Sequence, residues 1–341
     1  MSAPDPGPAS GTAKVVPQTA KIAPSEKQQI GRDAGSPQIE ELELGDTGSL
    51  SDRYLTTRYE IWAYYSYYIG NNGISLFNFA PTQSQNLLSL AADPETSTLR
   101  FLGKDRSINS IVLLANGISF AIQIVLFLII GSYADFGHWR PNILIVASLV
   151  AYGIGFGWLG VADASKWRQG VGLYIVGLIA YQTCLTFWTA AFPGLARNTR
   201  EIREKADQFS RGEVEAEEYE YDESVMRSRL SNIAFYVQSC AELIILAIAV
   251  GIMFGIHVED SDAQNTWGLS VLIAYASGVW LLVSIPWFAL EKRRPGISPK
   301  MNIVLAGILQ LWIAVTKIWR LRQSLFYLIG KMVQCRCDAR R

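Results

Sequence analysis

A carboxylate stands inside an apolar run at Gln238-Ser-Cys-Ala-Glu242-Leu243. An ionisable group there is costly. It faces a bundle interior or a watery cavity, where it could take up and pass on a proton, bind an ammonium group, or rest as a neutral acid bonded to another helix. Three amides, Asn71, Asn72 and Asn78, share another apolar run, and Gly70 and Gly73 flank the first two. They could give donors and acceptors to a zwitterion, or only bond neighbouring helices. Asn116 and Gln123 are seven apart on one helical face, and Gln182, Thr186 and Thr189 follow i, i+4, i+7 spacing with Trp188 one step round. For both sets, interhelical hydrogen bonding competes with substrate contact. The fourth constellation is Gly131-x-x-x-Asp135-x-x-x-x-Arg140, a small residue, a carboxylate and a guanidinium at the end of an apolar run. A carboxylate at one helix end can meet another helix's N-terminal dipole and a guanidinium in one access state only. That makes Gly131, Asp135 and Arg140 a gating latch rather than ligands.

No nucleophile–base pair, phosphate-cradling glycine loop or metal-ligand spacing accompanies these residues. His138 and His257 lie far apart in loops, and four scattered cysteines give no disulfide framework or zinc spacing. The reading is therefore no enzyme, no metal and no cofactor. Thirty basic residues balance thirty acidic ones, and no basic tract supports nucleic-acid binding.

The elements that must position the polar groups are membrane spans. Half the residues are apolar and 18% are charged, yet charge concentrates in blocks separated by nearly charge-free windows long enough to cross a bilayer. Spans are expected near 61–80, 108–134, 141–161, 170–192, 232–256 and 266–290. Residues 1–57, rich in Ala, Pro, Ser, Gly and Gln, read as a disordered tail with no signal-peptide h-region. The first span, with its three amides, must face protein or water and can run on to Ala92 with a kink. A short mixed-charge loop is expected over 93–107, and an exposed, part-helical charged loop over 197–229. After residue 292, the segment 293–341 reads as a linker, a basic amphipathic helix and an interrupted seventh helix. Basic residues flank the loops after spans two, four and six, whereas 257–265 is acidic, which places both termini and the 197–229 loop in the cytosol. The fold class is an all-α multi-pass membrane protein.

The loop at 131–140 is similar to the motif between helices two and three of the major facilitator superfamily, departing from it at Phe136 and His138. The strings YYIGNNGISLFNFAPTQSQNLL (67–88), NSIVLLANGISFAIQ (109–123), GSYADFGHWRPNIL (131–144), LTFWTAAFPGLARN (185–198) and WFALEKRRPG (287–296) closely resemble fungal members of the autophagy-related protein 22 family. The resemblance covers roughly residues 58–330. It implies the N-terminal six-helix bundle of a superfamily transporter in the fungal vacuole membrane. Such a transporter exports leucine and other neutral amino acids after autophagic breakdown, by alternating access. The partners expected are the amino-acid substrate, the lipid bilayer, protons if Glu242 couples them, and a missing or separate C-terminal half-bundle. Because the resemblance stops after Gly330, the expectation is a truncated product. The alternative is a half-transporter that acts as a regulatory or assembly subunit.

Overall fold

The computed structural model describes residues 54–135 and 139–294, with Leu309, Trp312 and Thr316. Most of the expected tail (1–57) and nearly all of segment 293–341 lie outside the described residues.

Five of the described helices are long and apolar enough to cross a membrane. They are α3 (Ile108–Asp135), α4 (Arg140–Gly157), α5 (Trp167–Ala190), α8 (Ala216–Ile256) and α9 (Asp262–Leu290). Pro141 sits in the first turn of α4, where its missing N–H has no helical partner to lose. The chain expected to form the first span is divided. It runs as α1 (Arg58–Gly70), a π-helical segment (Ile74–Phe79) and α2 (Ala80–Ala91).

The interruption has local causes. Asn72 Oδ1 accepts the Ile74 N–H at 2.9 Å, a side-chain substitute for the helical bond. Gly73 has φ +89°, a left-handed conformation that glycine adopts without a Cβ penalty. Beyond it, the Asn78 N–H returns five residues to the Gly73 carbonyl at 2.9 Å, and this wide register precedes Pro81 in the first turn of α2. The expected kink is thus a break three residues wide, placed before the proline.

The divided chain still covers the length of a crossing, because polar contacts pin it along α9. Ser66 Oγ donates to the Val283 carbonyl (2.7 Å), and Ser75 Oγ meets Ser277 Oγ (2.6 Å). Gln83 Nε2 donates to Ser270 Oγ (2.9 Å) and the Thr266 carbonyl (3.0 Å), while Asn86 Nδ2 donates to Thr266 Oγ1 (2.9 Å). As α9 has 29 residues, about 43 Å at 1.5 Å rise, a partner pinned along it traverses the same slab. Small residues allow the approach. A Cβ on Gly70 would fall 2.4 Å from Trp280 Cα, and one on Gly155 would fall 1.9 Å from Ser277 Oγ.

Aromatic and aliphatic side chains fill the core between α1, α4, α5 and α9, including Tyr67, Tyr152, Trp158, Trp280 and Trp287. Tyr67 Oη pairs with Ser148 Oγ (2.8 Å), and Tyr152 Oη donates to Ser284 Oγ (2.7 Å), so these buried hydroxyls are satisfied. The loop after α2 holds an antiparallel hairpin, β1 (Thr98–Phe101) with β2 (Lys104–Ser107). Its turn residues Leu102 and Gly103 both have positive φ, as a tight hairpin requires. The 197–229 region is part-helical as expected, with α6 (Phe192–Arg197), α7 (Arg200–Ser210) and the first turns of α8. Phe209 stacks on Tyr219 at 5.6 Å, and Lys205 binds Glu218 (2.7 Å) and Asp222 (3.2 Å), folding α7 back onto α8.

Candidate functional site

Glu242 lies on α8 one turn after Gln238, whose Nε2 donates to its Oε2. The carboxylate is close enough to interact electrostatically with the hydroxyls of Tyr68 on α1 and Tyr181 on α5. Three residues further along α8, Ile245 packs with Ile74 and Ala276, so this turn of α8 abuts the break in the first crossing. A Cβ on Gly73 would sit 2.9 Å from Tyr181 Oη, so that hydroxyl also borders the break. The geometry therefore gathers Glu242, Gln238, Tyr68, Tyr181 and the Asn71–Gly73 break in one region. Phe77, half exposed, lies 5.7 Å ring to ring from Tyr181.

The sequence-derived candidates divide into groups. Asn71 is 1% exposed, and neither its Oδ1 nor its Nδ2 has a hydrogen-bond partner. Asn72 is part-buried and caps Ile74 as described, and Asn78 is exposed. Asn116 accepts from Tyr174 Oη, and buried Gln123 donates to the Leu178 carbonyl at 3.4 Å. Both therefore tie α3 to α5. The Thr186 hydroxyl donates to the Gln182 carbonyl and the Thr189 hydroxyl to the Thr186 carbonyl, each at 2.8 Å, within α5 itself. The two threonines are exposed, and the Gln182 side chain is part-buried. Trp188, one step round from them, is sandwiched between Tyr64 (4.4 Å) and Tyr68 (4.3 Å), so its two faces are already covered.

The expected latch is only partly visible. The Asp135 side chain lies outside the described residues, and a Cβ on Gly131 would meet nothing within 4 Å. Arg140 Nη1 donates to the Ala190 carbonyl at 3.0 Å, placing a cation at the C-terminal end of α5 where the helix dipole favours it. Arg140 also faces Glu291, the residue after α9. Burial pushes the Glu291 carboxyl up to about 7, opposed by the charge of Arg140, and Glu60 raises it further. Glu291 Oε2 is buried and accepts no hydrogen bond.

The same end carries a cluster that no sequence spacing indicated. Arg294 grips the fully buried Glu60 through Nη1 to Oε1 and Nη2 to Oε2, both at 2.9 Å. The Lys292 N–H donates to Glu60 Oε1 (3.1 Å), and Lys292 Nζ to the Leu55 carbonyl (2.7 Å). Thr56 joins in, with its N–H on the Asn198 carbonyl (2.8 Å) and its hydroxyl on the Leu195 carbonyl (2.9 Å). Residues 54–60, 195–198 and 291–294 thus meet at one end of the bundle.

The family described as vacuole effluxer Atg22-like matches the chain over residues 56–334. No curated protein and no solved structure matches it.

Proposed function

This chain belongs to the vacuole effluxer Atg22-like family, and we propose that it moves leucine and other neutral amino acids out of a vacuole by alternating access. In this reading the substrates are amino acids released by autophagic degradation, and the N-terminus faces the cytosol. The observation that carries it is the Glu242–Gln238 pair beside a broken helix. A zwitterion presents an ammonium and a carboxylate a few ångströms apart. Glu242 supplies a counter-charge for the ammonium, held near the tyrosine hydroxyls of Tyr68 and Tyr181. The half-helix that begins at Ile74 turns its positive end towards the same break, which favours the carboxylate. Phe77 offers half-exposed apolar surface beside them for an uncharged side chain.

Asn116, Gln123, Thr186 and Thr189 then serve mainly to join or trim helices, since their polar groups bond within the bundle. Glu242 remains the group through which a proton could couple to efflux.

The test is leucine counterflow in proteoliposomes containing the full chain. Saturable exchange is expected, weakened at least tenfold in Glu242→Ala. Absence of leucine-stimulated exchange in folded protein would sink the amino-acid reading.

A further inference from the structure

The break between α1 and the π-helical segment carries a buried polar group that the amino-acid reading does not use. Asn71 follows Tyr67 by four residues, so it continues the face that carries Tyr67 into the core. There it is 1% exposed, yet its amide oxygen and nitrogen both lack partners. Such a group is costly in a membrane interior unless something fills its coordination.

The backbone beside it has the same need. The N–H groups that would close on the carbonyls of Tyr68, Ile69 and Gly70 belong to Asn72, Gly73 and Ile74. The helix is interrupted across 71–73, and Ile74 donates to Asn72 Oδ1 instead. Three carbonyls at the negative end of α1 therefore stand without their helical donors. Neither α1 nor α9 places an ammonium or guanidinium beside them: Arg58 stands at the opposite end of α1, and α9 has no basic residue. The Trp280 indole N–H, also without an acceptor, borders Gly70 and could donate to a water in the same shell.

We propose that the break at Asn71–Gly73 holds one alkali-metal cation, coordinated by Asn71 Oδ1 and the carbonyls left without helical donors at the C-terminal end of α1. Oxygen ligands suit a hard cation. Their neutrality favours a single charge: among the described residues no cluster of three or more His, Cys, Asp or Glu could hold a metal ion, and a dication would go uncompensated. The ion neutralises the open helix end and fixes the two half-helices relative to one another. This site borders the region proposed for the substrate but uses other atoms, and it does not depend on the identity of the substrate.

The test is thermal unfolding of the full chain in lipid nanodiscs without amino acids. Sodium, potassium and lithium chloride are compared with choline chloride at equal ionic strength. One alkali cation is expected to raise Tm saturably above the choline value. Asn71→Ala should weaken half-saturation about tenfold, the effect of losing roughly 1.4 kcal/mol of binding. Asn71→Asp keeps the oxygen ligand and adds charge, so it should tighten half-saturation, and it guards against an alanine variant that fails to fold. Equal Tm in all four salts would assign the space to water and overturn the proposal. So would a cation effect that is the same in wild type and Asn71→Asp. A response to chloride at fixed cation would overturn it in favour of an anion.

Discussion

Arg294 and Glu60 lie 234 residues apart and form a two-pronged ion pair, with both N···O distances at 2.9 Å and the carboxylate fully buried. The pair joins the start of the first crossing to the chain leaving the last described one. Glu60 has a third donor in the Lys292 N–H, which helps offset the cost of desolvating the carboxylate.

Removing one partner should be worse than removing both. Arg294→Met leaves Glu60 buried and uncompensated, a loss expected at about 3–5 kcal/mol. The double variant Glu60→Gln/Arg294→Met should recover much of it. A double-mutant cycle on unfolding in detergent measures the coupling; additive effects would mean the pair is not formed in the folded protein.

Glu291 makes stability fall as pH rises. Its carboxyl titrates near 7 in the folded chain against an ordinary value of 4.5, so the native state binds the proton more tightly than the unfolded chain. The stabilisation is complete below the ordinary value and is lost as pH rises through about 7. Glu291→Gln should therefore raise Tm at about pH 8 and leave it nearly unchanged at about pH 4. A Tm difference that does not vary with pH would refute this.

Close helix approach predicts opposite outcomes for glycines of the same type. Gly70→Ala pushes a Cβ against the Trp280 backbone and should destabilise by about 1–3 kcal/mol. A Cβ on Gly117 or Gly251 meets nothing within 4 Å. Gly117→Ala and Gly251→Ala should be neutral or gain up to about 1 kcal/mol from helix propensity. Unfolding midpoints of the three variants decide it.

Glu242→Gln separates charge from shape at the face proposed to bind substrate. If Glu242 carries the coupling proton, leucine efflux by the variant should lose its dependence on luminal pH. If it holds the ammonium, KM should rise at every pH. Efflux with unchanged KM and unchanged pH dependence would exclude both roles.

Buried hydroxyl pairs supply a further check. Ser148→Ala removes the oxygen partner of the buried Tyr67 hydroxyl and should cost about 1–3 kcal/mol. Adding Tyr67→Phe should restore part of that loss in the same unfolding assay.

The membrane class was legible because hydrocarbon imposes a length and a lack of charge that any crossing must show in its own residues. That is why the limits of α3 and α9 fall close to those expected, and why Glu242 could be singled out inside α8. The first crossing was legible only in part. Its amides declared that it avoids lipid, but the width of the break depended on Asn72 capping Ile74 and on Gly73 turning left-handed. Asn116 and Gln123 were visible as polar residues on one face. That they bond Tyr174 and the Leu178 carbonyl on α5 was not, because either partner could have been a substrate.

The solvent, the helical class and the rarity of buried charge were thus determined by the sequence alone, since each is a property of a contiguous stretch of chain. Tertiary structure decided the seam from Ser66 to Asn86 along α9, the gathering of Tyr68, Tyr181 and Glu242, and the Glu60–Arg294 pair. Those contacts join residues tens to hundreds of positions apart, and no local periodicity encodes which of many polar side chains will meet. The Asn71 amide shows the difference most clearly: its type was apparent in the sequence, but only packing left both of its polar atoms enclosed and unpartnered.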